Sequence, residues 1–231
     1  MRSFRIGGGP MAGSIVIVAG GELPCPEGLK KVAEKAALVI AADGGLLRAK
    51  AAGIQVHALV GDLDSLSETP FPQGLRVLKH PIEKDATDLE LALDYAISLS
   101  PEKVHLFGAL GGRLDHMLAN LNLLERYDVP ITIHHGRETL HAVSGKLVLE
   151  DARVGDRVSL IPLSSEVTGV HTQGLRWPLN GGTLRRASSR GVSNEVTSLP
   201  CVVSVEGGRL LVIHAAKGTR PPSEEGRREK A

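Results

Sequence analysis

The sequence predicts a chain in two parts: an α/β domain with a parallel, doubly wound sheet, then an all-β sandwich. Three observations carry this. Through the first half, short and nearly continuous apolar runs alternate with helical patterns, which is how strands buried on both faces read. After about residue 136 the helical periodicity stops, and short alternating segments divided by Gly, Pro, Asn and Ser take over. At 231 residues, with 42% hydrophobic and 23% charged residues, the chain can hold one large domain or two small ones of ordinary globular composition.

In order, residues 14–19, 37–42, 57–60, 76–79, 104–107 and 131–134 read as the strands of the first domain. Two helices are clearest between them. One carries Leu89, Ala92, Leu93, Ala96 and Ile97 on a single stripe, with Thr87 and Glu90 placed as a capping box. The other carries Leu114, Met117, Leu118 and Leu121 on one stripe, and Pro130 follows it. Residues 146–150, 157–160, 202–205 and 210–214 read as strands of the second domain. The expected division is a flexible extension over 1–13, the α/β domain over 14–138, the sandwich over 139–216 and a polar, disordered tail over 217–231.

Charge and composition narrow the function. The net charge of +1 leaves no broad electrostatic footprint for nucleic acid. No apolar run approaches the roughly 20 residues that span a bilayer, and the first thirteen residues lack a signal peptide's apolar stretch. Cys25 and Cys201 form no Cys-x-x-Cys pattern, so neither a disulfide framework nor a structural zinc site is expected, and the cytoplasm is the expected compartment. The partner is expected to be small.

The informative feature is where the carboxylates sit. Asp43 follows the second strand, Asp62 and Asp64 follow the third, Asp85 and Asp88 precede a helix, and Asp115 follows the fifth strand with Arg113. In an open parallel sheet the loops at the carboxyl ends of the strands share one crevice, where ligands bind. A lone aspartate at a strand end is most often a cap or a turn residue. Six of them on four loops are harder to explain that way. Six carboxylates in one cleft also need a counter-charge, and Mg²⁺ supplies it while bridging to substrate phosphates.

Gly111 and Gly112 precede a helix N-terminus, a place suited to a phosphate as well as to a plain tight turn. Arg113 beside them suits a phosphate oxygen. Gly7–Gly8–Gly9 is not followed by Gly-Lys-Ser/Thr, so it is no P-loop. His134 and His135 are adjacent on a strand and point to opposite faces, which argues against a shared metal site. Arg185, Arg186 and Arg190 read as a solvated basic face.

Taken together, the loops Asp43-Gly44-Gly45, Gly61-Asp62-Leu63-Asp64-Ser65, Lys84-Asp85-Ala86-Thr87-Asp88 and Gly111-Gly112-Arg113-Leu114-Asp115-His116 resemble, in order, the signature loops of the thiamine pyrophosphokinase family. Gly174-Leu175-Arg176-Trp177-Pro178-Leu179 and Ser189-Arg190-Gly191-Val192-Ser193-Asn194-Glu195 extend the resemblance to about residues 14–216. The resemblance implies a Mg²⁺-dependent transfer of diphosphate from ATP to the hydroxyl of thiamine, releasing AMP. It also implies a homodimer whose active sites are shared between an ATP-binding domain and the partner's β-domain. Carried over, Asp62, Asp64 and Asp88 hold Mg²⁺; Asp43, Lys84, Asp85, Thr87, Arg113 and Asp115 line the nucleotide side; Ser193 and Asn194 face thiamine. Either Asp88 or Asp115 accepts the hydroxyl proton. In eukaryotic members an aromatic follows a Leu-Leu pair on the last strand and stacks on thiamine. Here Leu210-Leu211 is followed by Val212, so Trp177 is the candidate substitute, with a packed core aromatic as its plainer reading.

Three other readings fit the sequence less well. A pyrophosphokinase acting on a pterin alcohol disagrees with the two-domain layout and the Ser193-Asn194-Glu195 loop. A non-catalytic nucleotide- or thiamine-binding regulator would be expected to have lost carboxylates that this chain keeps. A Mg²⁺ phosphatase of the Asp-x-Asp type needs an aspartate on the first strand, which ends instead in Ala19-Gly20-Gly21.

Overall fold

The computed structural model describes residues 12–64 and 71–218. The extension expected over 1–13 and the tail expected over 217–231 lie almost wholly outside them. Chain order is β1 Ser14–Val18, α1 Pro26–Ala33, β2 Leu38–Ala42, α2 Gly45–Ala51, β3 Ala58–Gly61, β4 Arg76–Lys79, α3 Asp88–Ser98, β5 Lys103–Phe107, α4 Leu114–Leu123 and β6 Ile131–His135. There follow β7 Glu138–Val143, β8 Lys146–Val148, β9 Arg157–Pro162, β10 Glu166–Gln173, β11 Gly182–Arg185, β12 Asn194–Glu195, β13 Val202–Ser204 and β14 Leu210–Ala215.

The first six strands pair in parallel in the order β6-β5-β1-β2-β3-β4. Alternation along β1 explains the two helical layers. Val16 and Val18 pack with Leu29 of α1 and Leu46 and Ala49 of α2. Ile15 and Ile17 pack with Leu89, Ala92, Leu93 and Ala96 of α3. A strand buried on both faces has to be apolar throughout, as SIVIV is.

The sheet does not end where the helices end. A two-residue turn, Gly136-Arg137, joins β6 to β7 as an antiparallel hairpin, and β14, β9 and β12 continue outward. Antiparallel neighbours need only such a hairpin, whereas parallel ones need a crossover. The sheet is therefore mixed, with ten strands, rather than purely parallel. A second sheet, β11-β10-β13-β8, faces its antiparallel half. Strand β14 serves two cores: Leu210 and Val212 pack in the sandwich interior, while Leu211 and Ile213 pack with the α/β core.

Helix α3 agrees with its sequence stripe. Thr87 Oγ1 accepts from the Glu90 backbone N–H at 3.2 Å. The reciprocal half of the capping box is replaced by an ion pair of the Glu90 carboxylate with Arg126 at 2.6 Å. Helix α4 differs. Its buried stripe runs through Met117, Asn120, Leu121 and the following Leu124, while Leu114 and Leu118 are exposed. Leu118 lies about 100° around the helix from Met117, and Leu114 stands in the first turn, beyond the rim of the core. Among the described residues, no helix is long and apolar enough to cross a membrane.

Candidate active site

A cleft of about 630 Å³ opens at the carboxyl ends of β1, β2 and β5. Asp43, Lys84, Thr87, Asp88, Gly111, Gly112 and Arg113 line it, as do Asn120 and His116 of α4. Close backbone approach builds this edge. A Cβ on Gly45 would fall 1.9 Å from the Val18 carbonyl oxygen, so only glycine lets α2 start against the end of β1. A Cβ on Gly61 would meet Asp43 at 3.1 Å and Asp88 Oδ1 at 3.2 Å, so this glycine brings two of the carboxylate loops together.

Among the described residues, Asp43, Asp62 and Asp64 each place one carboxylate oxygen within 4.8 Å of the others. Leu63 between the last two has φ 69°, and Asp43 itself has φ 43°. Left-handed backbone is costly for a leucine and tends to persist at functional sites, where surrounding structure enforces it. The Asp64 backbone N–H donates to Asp62 Oδ1 at 3.3 Å, which closes the loop. An all-oxygen set of this kind fits a hard divalent cation.

Asp88 is placed differently from the sequence expectation. It does not join that trio but faces Lys84, whose Nζ lies 3.1 Å from Asp88 Oδ1 and 2.5 Å from Asp62 Oδ2. The contact with Asp88 is electrostatic rather than an aligned hydrogen bond, because Asp88 Oδ1 is buried without a hydrogen-bond partner. The Lys84 hydrogen bond holds Asp62 below the usual 3.8. Burial pushes Asp88 above 3.8 despite the opposing pull of Lys84. Burial alone would lower Lys84; its hydrogen bond to Asp62 and its ion pair with Asp88 overcome that and raise it above 10.5.

Arg113 and Asp115 form an exposed, two-pronged pair, with Nε–Oδ1 at 3.1 Å and Nη2–Oδ2 at 2.6 Å. That pair holds Asp115 down at about 2. Arg113 lines the cleft, whereas Asp115 stands outside its lining and Asp85 is exposed away from it.

A second cleft, of about 420 Å³, lies in the β-half and is lined by Gly155, Arg157, Trp177, Ser193, Asn194, Glu195 and Lys217. Trp177 is 58% exposed here, so it is not a core aromatic, whereas Val212 is fully buried in the sandwich. Asn194 is buried and spends its amide on Trp177: Oδ1 accepts from Trp177 N at 3.1 Å and Nδ2 donates to Trp177 O at 2.7 Å. Ser193 has φ 61° and its backbone N–H is held by Ser159 Oγ at 3.0 Å.

The remaining sequence candidates fall elsewhere. His134 stacks on Phe107 and shares a hydrogen bond between its Nε2 and His105 Nδ1 at 2.9 Å. Arg185 and Arg186 make surface ion pairs with Glu166 and Glu125. Asn120, Arg157 and Lys217 escaped the sequence reading. Only Asn120 left a signal, as a polar residue inside an apolar helical stripe.

Residues 29–134 match the family described as thiamin pyrophosphokinase, catalytic domain, and residues 146–210 match thiamin pyrophosphokinase, vitamin B1 binding domain. The thiamine pyrophosphokinase of Bacillus subtilis is 30% identical over 213 residues, covering 87% of this chain and 98% of that protein. Its crystal structure superposes with a TM-score of 0.76 at 29% identity, over 89% of this chain and 100% of that one. The thiamin pyrophosphokinase of Geobacillus thermodenitrificans superposes with a TM-score of 0.75 at 32% identity, over 89% and 99%. With both halves matched and the relative in Bacillus subtilis covered almost end to end, this chain belongs to the thiamine pyrophosphokinase family.

Proposed function

We propose that the chain transfers a diphosphate group from ATP to the hydroxyl of thiamine, in a homodimer whose two active sites are each shared between subunits. The observation that carries the site assignment is the convergence of Asp43, Asp62 and Asp64 at the carboxyl ends of the parallel strands, beside a cleft lined by Lys84 and Arg113. Asp62 and Asp64, joined by Asp43, are the residues that would hold Mg²⁺. The ion supplies neutralisation of polyphosphate charge.

In the reaction the thiamine hydroxyl oxygen attacks the β-phosphorus of ATP. A new O–P bond forms, the bond from that phosphorus to the α–β bridging oxygen breaks, and AMP leaves. Protein groups act mainly by positioning and by charge. Lys84 and Arg113 face the polyphosphate. Asp88 takes the hydroxyl proton, and two differences from Asp115 favour it. Asp88 lines the cleft and its pKa is raised, whereas Asp115 is held near 2 by Arg113 and is a weak base. On the thiamine side, Trp177 is the stacking face and Asn194 aims it.

The spacing of the clefts supports the dimer. Strands β9, β14, β7, β6 and β5 separate β12 from β1. At about 4.8 Å per strand the two clefts stand roughly 24–29 Å apart across the sheet. Reacting atoms have to approach to about 3–3.5 Å, which supports a thiamine cleft supplied by another copy. Residues 14–138 then form the nucleotide side and 139–216 the thiamine side. The free cysteines Cys25 and Cys201 suit the reducing cytoplasm.

The test is an assay with ATP, Mg²⁺ and thiamine in which AMP and thiamine diphosphate are both measured. Equal formation of the two is expected. AMP without thiamine diphosphate, or product only when a pterin alcohol replaces thiamine, rejects the assignment.

A further inference from the structure

Asn120 is a buried polar residue on α4 that the reaction as described leaves unused. Its side-chain Nδ2 donates to the Ala109 carbonyl oxygen at 2.7 Å. That bond settles which way the amide faces, since a carbonyl oxygen accepts only and the opposite orientation would set two acceptors against each other. Asn120 Oδ1 is therefore the free end. It is buried and has no hydrogen-bond partner, on a residue only 7% exposed that lines the 630 Å³ cleft. Leaving a buried acceptor unmade is costly, and a ligand donor in the cleft relieves it.

The position of Asn120 says which end of a nucleotide it meets. It lies seven residues along the chain from Arg113, about 10 Å at the helical rise. Arg113 and the Gly111-Gly112 turn mark the phosphate end at the start of α4. The lining of the cleft includes the small residues Ala19, Gly20, Gly108 and Ala109, the last bonded to Asn120, and these leave room for a flat ring. We propose that Asn120 Oδ1 accepts a hydrogen bond from the 6-amino group of adenine and is the residue that selects ATP over 6-oxo purine nucleotides. Guanine and hypoxanthine present an acceptor at that position, so they would leave Oδ1 unpaired and opposed. This inference rests on the nucleotide cleft assigned above and adds its base specificity.

The experiment is calorimetric titration of the full chain with ATP, ITP and 2′-deoxy-ATP, without thiamine, for wild type and Asn120→Ala. Wild type is expected to bind ATP roughly tenfold to a hundredfold more tightly than ITP, the scale of one unmade buried hydrogen bond. In Asn120→Ala the ratio should fall to near one, through weaker ATP binding together with ITP binding that is unchanged or tighter once the opposed acceptor is gone. Equal binding of ATP and ITP by wild type overturns the proposal. So does an Asn120→Ala variant that weakens both equally. A variant that loses only the distinction between ATP and 2′-deoxy-ATP would assign Oδ1 to a ribose hydroxyl and overturn it too. If Asn120→Ala fails to fold, Asn120→Ser carries the same comparison. Failure of wild type to bind any of the three nucleotides would reject the nucleotide cleft itself, a separate result from loss of base preference.

Discussion

The Asn194 side chain clamps the main chain of Trp177 at both its N–H and its carbonyl, and so fixes the one exposed tryptophan of the second cleft. Its oxygen has no remaining capacity for a ligand, because Oδ1 also accepts from the Glu195 N–H at 2.9 Å. Asn194→Ala should therefore act through Trp177. We expect the thiamine KM to rise about tenfold with the ATP KM unchanged, and stability to fall by about 1–3 kcal/mol because partner groups are left unpaired. Steady-state kinetics with a denaturant titration checks both.

Trp177 is the only tryptophan in the chain, so its fluorescence reports on that cleft alone. Thiamine should quench it saturably. Trp177→Phe should keep most activity, and Trp177→Ala should weaken thiamine by about 1–3 kcal/mol, the scale of stacking a base on an aromatic ring. Absence of quenching at concentrations that saturate turnover would move the pyrimidine elsewhere.

The choice of base is open to a paired test. Asp88→Asn should lower turnover by about 10²–10⁴-fold, the usual weight of a general base. Asp115→Asn should cost less than tenfold, since Asp115 only braces Arg113. The acidic limb of the rate profile should lie above pH 3.8, because the Asp88 pKa is raised, and should survive in Asp115→Asn. A limb that vanishes with Asp115 reverses the assignment.

Asp62→Asn should reduce turnover about a hundredfold or more and should also weaken the fold slightly, since it leaves Lys84 with one partner fewer. Because Lys84 depresses the Asp62 pKa, the stability it contributes is present above pH 3.8 and is lost as pH falls through the lower folded value. Lys84, raised above 10.5, contributes below that pH and loses its contribution as pH rises past the folded value. Acid unfolding of Asp62→Asn should then show a shallower pH dependence than wild type below pH 3.8, read by circular dichroism.

Shared sites predict rescue between variants impaired on opposite sides, assayed at thiamine too dilute to saturate Trp177→Ala. Asp62→Asn damages only the nucleotide side and Trp177→Ala only the thiamine side. After subunit exchange, half of randomly mixed dimers carry one intact site, which gives about a quarter of wild-type activity for two-fold pairing. A fully exchanged mixture as inactive as its parents would mean that each site is built from one chain.

The carboxylate loops were legible in the sequence because the crevice at strand ends is a local consequence of a parallel sheet. Asp43, Asp62, Asp64 and Asp88 all sit within three residues of a strand or helix terminus, and their neighbours Gly45, Gly61 and Thr87 announce the turn. The stripe of α3 was legible for the same reason. The stripe of α4 departs from its periodicity at the exposed Leu114 and Leu118, because periodicity shows which residues share a face and not how far the core extends beneath it.

Other features depend on groups far apart in the chain. That Asp43 meets Asp62 and Asp64 depends on β2 pairing with β3, and that Lys84 meets Asp62 depends on a contact across twenty-two positions. That Asn194 serves Trp177 depends on a contact across seventeen positions. The distance between the two clefts follows from the continuation of one sheet through a two-residue hairpin into β7, β14, β9 and β12. The sequence by itself determined which residues carry charge at the ends of which elements, since short-range backbone geometry places them. Only the tertiary structure decided which charges meet and which stay solvated, because those outcomes depend on strand order and burial.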